Sequence, residues 1–396
     1  MTARTDSSSA VPFGTAPSSS APSSSAPSSR APSSADASSA DALATVAAAL
    51  DLAPLIDGHN DWAWECRENR DYSVEGLDGA LATDTDIDRL RAGRVGGQFW
   101  SVYVEDTLDG ADAVQGTLEQ VDWVYRLAAR YPQTFVIATS AADVEAARAS
   151  GRVASLLGAE GAHSLNDSPA VLRMLARLGV RYLTLTHVHN TSWADSGTDE
   201  PVHNGLSPRG VEYIRELNRL GMLVDLSHVS PATAHAALDV TSAPVIFSHS
   251  SCSAVTADPR NVPDDVLARL ADNGGVLMVT FVPQFVSAEY AGWFGGDRST
   301  PAPRVTVAQV ADHVEYARDV AGIRHIGLGG DFDGTDEFPE GLEGVDGYPA
   351  LLLELARRGW TAAELAALAG ANVLRVLRAT DAAFAGHDVE LTRLTR

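Results

Sequence analysis

Eight short runs rich in β-branched residues and leucine alternate with amphipathic helical stretches, and that alternation predicts a (β/α)8 barrel, an α/β fold of the TIM type. The ends of the runs point the same way. Six of the eight finish on a His, Asp or Glu: Asp61, Glu160, His187, His228, His249 and Asp331. A barrel gathers the carboxyl ends of its strands on one face, where such residues can meet. An open doubly wound sheet, the alternative, spreads them along a line. One barrel also accounts for the length that remains after a low-complexity amino-terminal tract.

That tract covers residues 1–42. Units of the form Ala-Pro-Ser recur at Ala16, Ala21, Ala26 and Ala31, and large apolar side chains are few. Such a composition cannot offset the entropy of ordering, so the tract is expected to be disordered. No continuous apolar segment follows the start, as a secretory signal requires. Residues 43–396 are expected to form a single barrel domain.

The expected strands are Leu55–Asp61, Val95–Val104, Val153–Glu160, Tyr182–His187, Leu223–His228, Val245–His249, Gly275–Phe281 and His325–Asp331. Between them lie helical stretches such as Ala111–Tyr131, Pro169–Leu178, Pro208–Leu220, Pro231–Leu238, Pro263–Asn273, Val307–Ala321 and Pro349–Arg358. Several open with proline in the first turn, or with Ser or Asp just before it, as helix starts do.

Composition excludes several chemistries. The formal net charge is −23, against the basic surface that sequence-independent nucleic-acid binding needs. All 29 basic residues are arginine. Without lysine there is no Schiff-base amine, no phosphate-loop lysine and no carboxylated lysine to bridge two metals. Two cysteines, Cys66 and Cys252, make no disulfide framework and fit a reducing, cytoplasmic setting. No apolar run approaches the ~20 residues of a membrane span.

The strand ends carry the chemistry. His59 and Asp61 stand two apart, so in a strand they share a face and offer an imidazole and a carboxylate to one point. Glu160, among glycines, can give one oxygen to each of two cations and is the natural bridge in a chain without lysine. His228 and His249 end consecutive runs, each preceded by serine, and form a second half-site. One metal is then held by His59, Asp61 and Glu160, the other by Glu160, His228 and His249. Such a pair, ~3.5–4 Å apart, can hold a bridging hydroxide and polarise a carbonyl. His187 is assigned to the developing oxyanion, and Asp331 to the proton that leaves the water and returns to the leaving amine. Arg260, in a loop over the same face, can anchor an acidic substrate terminus. Read singly, each has a plainer role, as a capping carboxylate, a satisfied core histidine or a solvated loop arginine. His163 and His189 are read as supporting or structural, and Asp333 as a turn carboxylate.

The segments IDGHND, GAEGAHSL, RYLTLTHVHNTSWAD, VDLSHVS, PVIFSHSSCSAV, RNVPDDVL and IGLGGDFDG resemble those of the membrane dipeptidase (renal dipeptidase) family of the amidohydrolase superfamily. The resemblance runs from about Leu55 to Leu377. It implies a barrel that binds two zinc ions and hydrolyses dipeptides, with tolerance for a D-configured C-terminal residue, and it suggests a homodimer. Its metal ligands fall on His59, Asp61, Glu160, His228 and His249, its substrate-contacting histidine on His187, its carboxylate-binding arginine on Arg260 and its catalytic aspartate on Asp331. Two features depart from the animal members. Val282 and Phe285 stand in a loop where those members carry a tyrosine, and their secretion signal, lipid-anchor tail and disulfide cysteines are missing, as in a soluble bacterial-type relative. The rivals are another amidohydrolase activity on the same metals, such as N-acyl amino acid or lactone hydrolysis, and a non-catalytic binding barrel.

Overall fold

In a computed structural model of the chain, the structure describes residues 34–108 and 110–386. Residues 1–33 of the tail expected at 1–42, and the last ten residues assigned to the barrel domain, lie outside them. A helix, Ser34–Leu52, already crosses the boundary expected at residue 42. Its alanines favour helix, and Val46, Ala49 and Leu50 bury its second half in the outer core. No helix among the described residues is long and apolar enough to cross a membrane.

The strands are β1 (Leu55–Asn60), β2 (Val95–Ser101), β3 (Phe135–Ile137), β4 (Val153–Ala159), β5 (Val180–Thr184), β6 (Leu223–Asp225), β7 (Ile246–Ser250), β8 (Val276–Val279) and β9 (Ile326–Leu328). All pair in parallel. β2 pairs with both β1 and β4, and β1 pairs with β9, so eight strands close a ring in the order β1-β2-β4-β5-β6-β7-β8-β9. The closed barrel with intervening helices is the fold expected. β3 stands outside the ring, along the first half of β4, where β5 does not reach. Three residues are too few to show a period, so it went unread.

The helices fall close to their expected bounds. Pro208–Leu220 and Val307–Ala321 coincide with them, Pro169–Arg177 differs by one residue at its end, and Gly110–Arg130 by one residue at each end. The local reason is visible at Ser207 and Ser230, whose side chains accept hydrogen bonds from Gly210 N and Thr233 N while proline fills the next position.

Side-chain alternation sorts the strands into two cores. Ile56, Phe99, Leu156, Tyr182, Leu223, Ile246 and Met278 fill the barrel lumen, which Val373, Leu374 and Leu377 of the helix Asn372–Gly386 close from below. Their strand neighbours Leu55, Leu157, Leu183, Val224 and Phe247 face the surrounding helices. Glu160 continues the inward series Ala154, Leu156, Gly158. His59 and His249, each three residues after a lumen residue, would point outward by strict alternation. Register breaks between Asp57 and Asn60 in β1 and between Phe247 and Ser250 in β7 re-aim them. His228 and Asp331 leave their strands at φ 69° and φ 66°, in the left-handed region that side chains rarely adopt.

One lumen contact ties packing to the site. Tyr182 pairs across the ladder with Gly158, where an added Cβ would lie 1.9 Å from the tyrosine ring. Gly158→Ala must displace that ring, and overpacking of this kind costs about 1–3 kcal/mol. Urea unfolding should show the loss; undiminished stability would mean the ring is free to move.

Candidate metal centre

His59, Asp61, Glu160, His228 and His249 converge at the carboxyl ends of β1, β4, β6 and β7, all buried. The two Glu160 oxygens serve different partners. Oε2 lies 3.2 Å from His59 Nε2, and Oε1 lies 3.0 Å from His228 Nε2 and 3.4 Å from His249 Nε2. Asp61 Oδ2 is 3.1 Å from His59 Nε2, and its buried Oδ1 has no hydrogen-bond partner. His228 Nε2 and His249 Nε2 stand 2.9 Å apart. Asp331 Oδ1 comes within 3.8 Å of His59 Nε2.

Two relays decide which histidine nitrogen faces the centre. Tyr182 Oη donates to Gly58 O (3.3 Å) and so accepts from His59 Nδ1 (2.9 Å), which turns His59 Nε2 towards the centre. Ser248 Oγ donates to the buried Asp225 (2.6 Å) and accepts from His249 Nδ1 (2.9 Å), with the same result. Burial holds His228 and His249 well below the usual imidazole range, hence neutral. Burial also opposes charge on His59, but Glu160 and Asp61 outweigh it and raise the group well above that range. Glu160 is held well below the usual carboxylate range: burial opposes its charge, but the positive charge on His59, with His228 and His249 close by, outweighs it.

Neutral nitrogen lone pairs on His228 and His249, the Nε2 of His59 once its proton is displaced, an orphaned carboxylate oxygen and a carboxylate split two ways are a donor set that fits divalent cations. Three groups bring potential ligand atoms within 4.8 Å of one another: His59, Glu160 and His249; Glu160, His187 and His228; and His59, Asp61 and Asp331. Glu160 and His59 each belong to two of them. His187 and Asp331, expected to act on substrate and proton, also stand within ligand range.

The centre forms the floor of a cavity of about 350 Å³ lined further by Trp64, Tyr103, Val282, Gln284, Phe285 and Arg260. Arg260 is buried, its Nη2 3.3 Å from His249 O and its guanidinium 5.1 Å above the Phe285 ring. Among the described residues no carboxylate lies within ion-pair distance of it, so an unneutralised cation faces the cavity. His187 sits between the rings of Tyr103 and His228, 4.8 and 4.5 Å away. His163 bonds Val104 O and His189 bonds Asp106, both supporting contacts. Asp333 exchanges bonds with Asp84, receiving its N–H at 2.7 Å, as a turn carboxylate does.

The sequence reading passed over the supporting acids. Asp57 accepts from the N–H groups of His59 and Gly330 and from Gln98; Asp225 accepts from Thr184, from the backbone of Ser227 and from both polar groups of Ser248. A carboxylate inside an apolar run two or three residues before a histidine, as in IDGH and VDLSH, was the available signal. Asp106, 3.3 Å from His187 Nδ1 and 3.0 Å from His189 Nδ1, comes from a loop with no such signal.

Comparison with known proteins bears on this arrangement. A family model described as membrane dipeptidase (peptidase family M19) matches residues 43–388. An uncharacterized dipeptidase of Schizosaccharomyces pombe is 46% identical over 348 residues, 83% of this chain and 81% of the relative. The dipeptidase aclJ of Aspergillus oryzae is 43% identical over 341 residues, 83% and 78% of the two chains. Among solved structures, a metallopeptidase of Rhodobacter sphaeroides bound to a phosphinate mimic of L-Ala-D-Ala overlays with a TM-score of 0.75 at 23% identity, covering 83% of this chain and 99% of that one. A probable dipeptidase of Pseudomonas aeruginosa gives 0.77 at 21% identity, with coverage of 86% and 99%. The chain therefore belongs to the membrane dipeptidase family, peptidase family M19, and is a metal-dependent hydrolase of dipeptides.

Proposed function

We propose that the barrel holds two zinc ions, one through His59, Asp61 and Glu160 and the other through Glu160, His228 and His249, and that it cleaves dipeptides including those with a D-configured C-terminal residue. The division of the Glu160 oxygens between His59 and the His228–His249 pair carries this reading. When bound, the ions supply Lewis acidity towards the peptide carbonyl and lower the pKa of water towards ~7. The remaining work falls to the chain. The buried Arg260 takes the substrate's C-terminal carboxylate by a bidentate fork, held in place by Phe285 beneath it. His187, with Nδ1 on Asp106, keeps Nε2 for the carbonyl oxygen as negative charge develops. Burial, with Asp61 and Glu160 nearby, pushes Asp331 up to about 7 against the pull of His59 and Arg260. A carboxyl at that value can take the proton from the attacking water and return it to the leaving amine near neutral pH.

The mimic of L-Ala-D-Ala in the Rhodobacter protein supports a place for L-D substrates in the test. The free cysteines Cys66 and Cys252 support a reducing, cytoplasmic setting, and the family resemblance supports a homodimer.

Zinc-loaded protein should carry two ions and release amino acids from a panel of L-L and L-D dipeptides. Glu160→Gln should drop below one ion per chain and lose that activity, and retention of both ions would sink the bridge. Asp331→Asn should keep both metals while kcat falls by about 10²–10⁴; unaltered turnover removes Asp331 from proton transfer. Asp106 holds His187 and His189 with a carboxyl that burial alone would raise but that those bonds keep well below the usual range. Asp106→Asn should keep the metals and lower kcat/KM by about 10–100-fold, the usual penalty for loss of an orienting partner. An unchanged kcat/KM would show that His187 needs no such support.

A further inference from the structure

We infer that the end of the barrel opposite the metal centre carries a binding site for a small phosphate-bearing anion. A cavity of about 370 Å³ opens there, at the amino-terminal ends of β1, β2 and β4 and beneath the last turn of the helix Ser34–Leu52. Strands of six or seven residues separate it from the metal centre by about 20 Å. Four arginines line it, Arg91, Arg94, Arg148 and Arg152, against a single carboxylate, Asp51. In a chain with 52 acidic residues and 29 arginines, that is a local inversion of charge.

These arginines are not neutralised as others in the chain are. Arg126, Arg130 and Arg358 each pair with a carboxylate within 3 Å. At the cavity, among the described residues, only Arg91 has a carboxylate in ion-pair range, Asp88 at 3.1 Å, and its other fork nitrogen donates to Thr134 Oγ1 at 3.0 Å. Arg94, Arg148 and Arg152 have no carboxylate within ion-pair distance among the described residues. Arg148 is fixed by bonds from Nη2 to the carbonyls of Leu50 and Asp51, at 2.8 and 2.6 Å, which leave its Nη1 and Nε free. Arg152 Nε donates to Ser150 Oγ at 2.9 Å, which leaves both its terminal nitrogens. Arg94 occupies a left-handed position, φ 58°, just after Gly93, where glycine or asparagine is the low-cost choice. Like charges around one hollow repel, and an anion relieves that repulsion. A tetrahedral oxyanion presents several acceptors to guanidinium forks at once, which favours phosphate or a phosphate monoester over a single carboxylate. The cavity admits the phosphate with a small organic substituent. Bound there, the anion joins the end of the first helix to the starts of β2 and β4.

The test is calorimetric titration of the zinc-loaded full chain with inorganic phosphate, at constant ionic strength set by chloride. We expect one saturable site per chain, a rise in Tm that saturates over the same concentrations, and an unchanged KM for a dipeptide. Arg94→Ser combined with Arg152→Ser should weaken the phosphate Kd by at least about tenfold, the loss of one charge-assisted bond, while dipeptide turnover stays intact. Should that pair not fold, the exposed Arg94→Ser alone should show the same direction. A Kd that the substitutions leave unchanged, competition between phosphate and dipeptide, or equal stabilisation by chloride would each overturn the inference. So would saturable binding of succinate in place of phosphate.

Discussion

A buried carboxylate that must answer to two sets of partners governs the carboxyl face of this barrel. Taking an ionised glutamate out of water costs several kcal/mol unless each oxygen is met by positive charge or a hydrogen-bond donor. Glu160 lies in the lumen because Ala154, Leu156 and Gly158 set the inward phase of β4. Once it is there, the other strand ends must bring complementary groups to it. His59 faces one oxygen with its charge, and His228 and His249 face the other, where a cation held between them and the carboxylate meets the same need. The same demand explains why regularity fails at those strand ends. A regular β1 or β7 would send its histidine into the outer core, and the register breaks turn it inward.

That aim has to be held, and the holding falls to groups one step further out. Asp57 and Asp225 sit at equivalent places, each a buried acceptor that gathers backbone N–H groups from its own strand end and from a neighbouring strand. They tie the irregular turns together where ladder hydrogen bonds have been given up. Tyr182 and Ser248 extend the arrangement to the imidazoles and set which nitrogen is left for a cation. Gly158 belongs to the same system, since only the absence of a side chain there lets the Tyr182 ring lie across β4 and reach His59.

The residues that touch the centre were legible in the sequence because each ends an apolar run, and a parallel barrel brings such ends together whatever the loops do. The strand boundaries were less legible. Leu223–His228 was read as one strand, yet the ladder stops at Asp225 and His228 adopts a left-handed backbone. Hydrophobicity continues through Leu226 and hides that turn. Phe285 was read only as a missing phenolic contact. In the structure its ring is the platform for Arg260, and its proximity depends on a loop path that no local pattern encodes. Asp106 was invisible for the same reason. The helix Ser34–Leu52 escaped because its first residues share the composition of the tract before it, and its order comes from packing against distant helices.

The lysine-free composition has a physical counterpart in where cations are placed. Arg260 is buried at the substrate cavity, and Arg181, with no exposed side-chain surface, bonds Thr380 and Asp381 beneath the lumen. Burial lowers both guanidinium groups, but from so high a starting point that they remain charged. An ammonium group in either place starts about two to three units lower, and desolvation alone can bring it to neutrality. At Arg260 that would remove the guanidinium charge that faces the cavity. At Arg181 it would leave Asp381 without its partner. A buried cation that must survive desolvation, and that must bond more than one partner from a fixed plane, is better served by arginine in both positions.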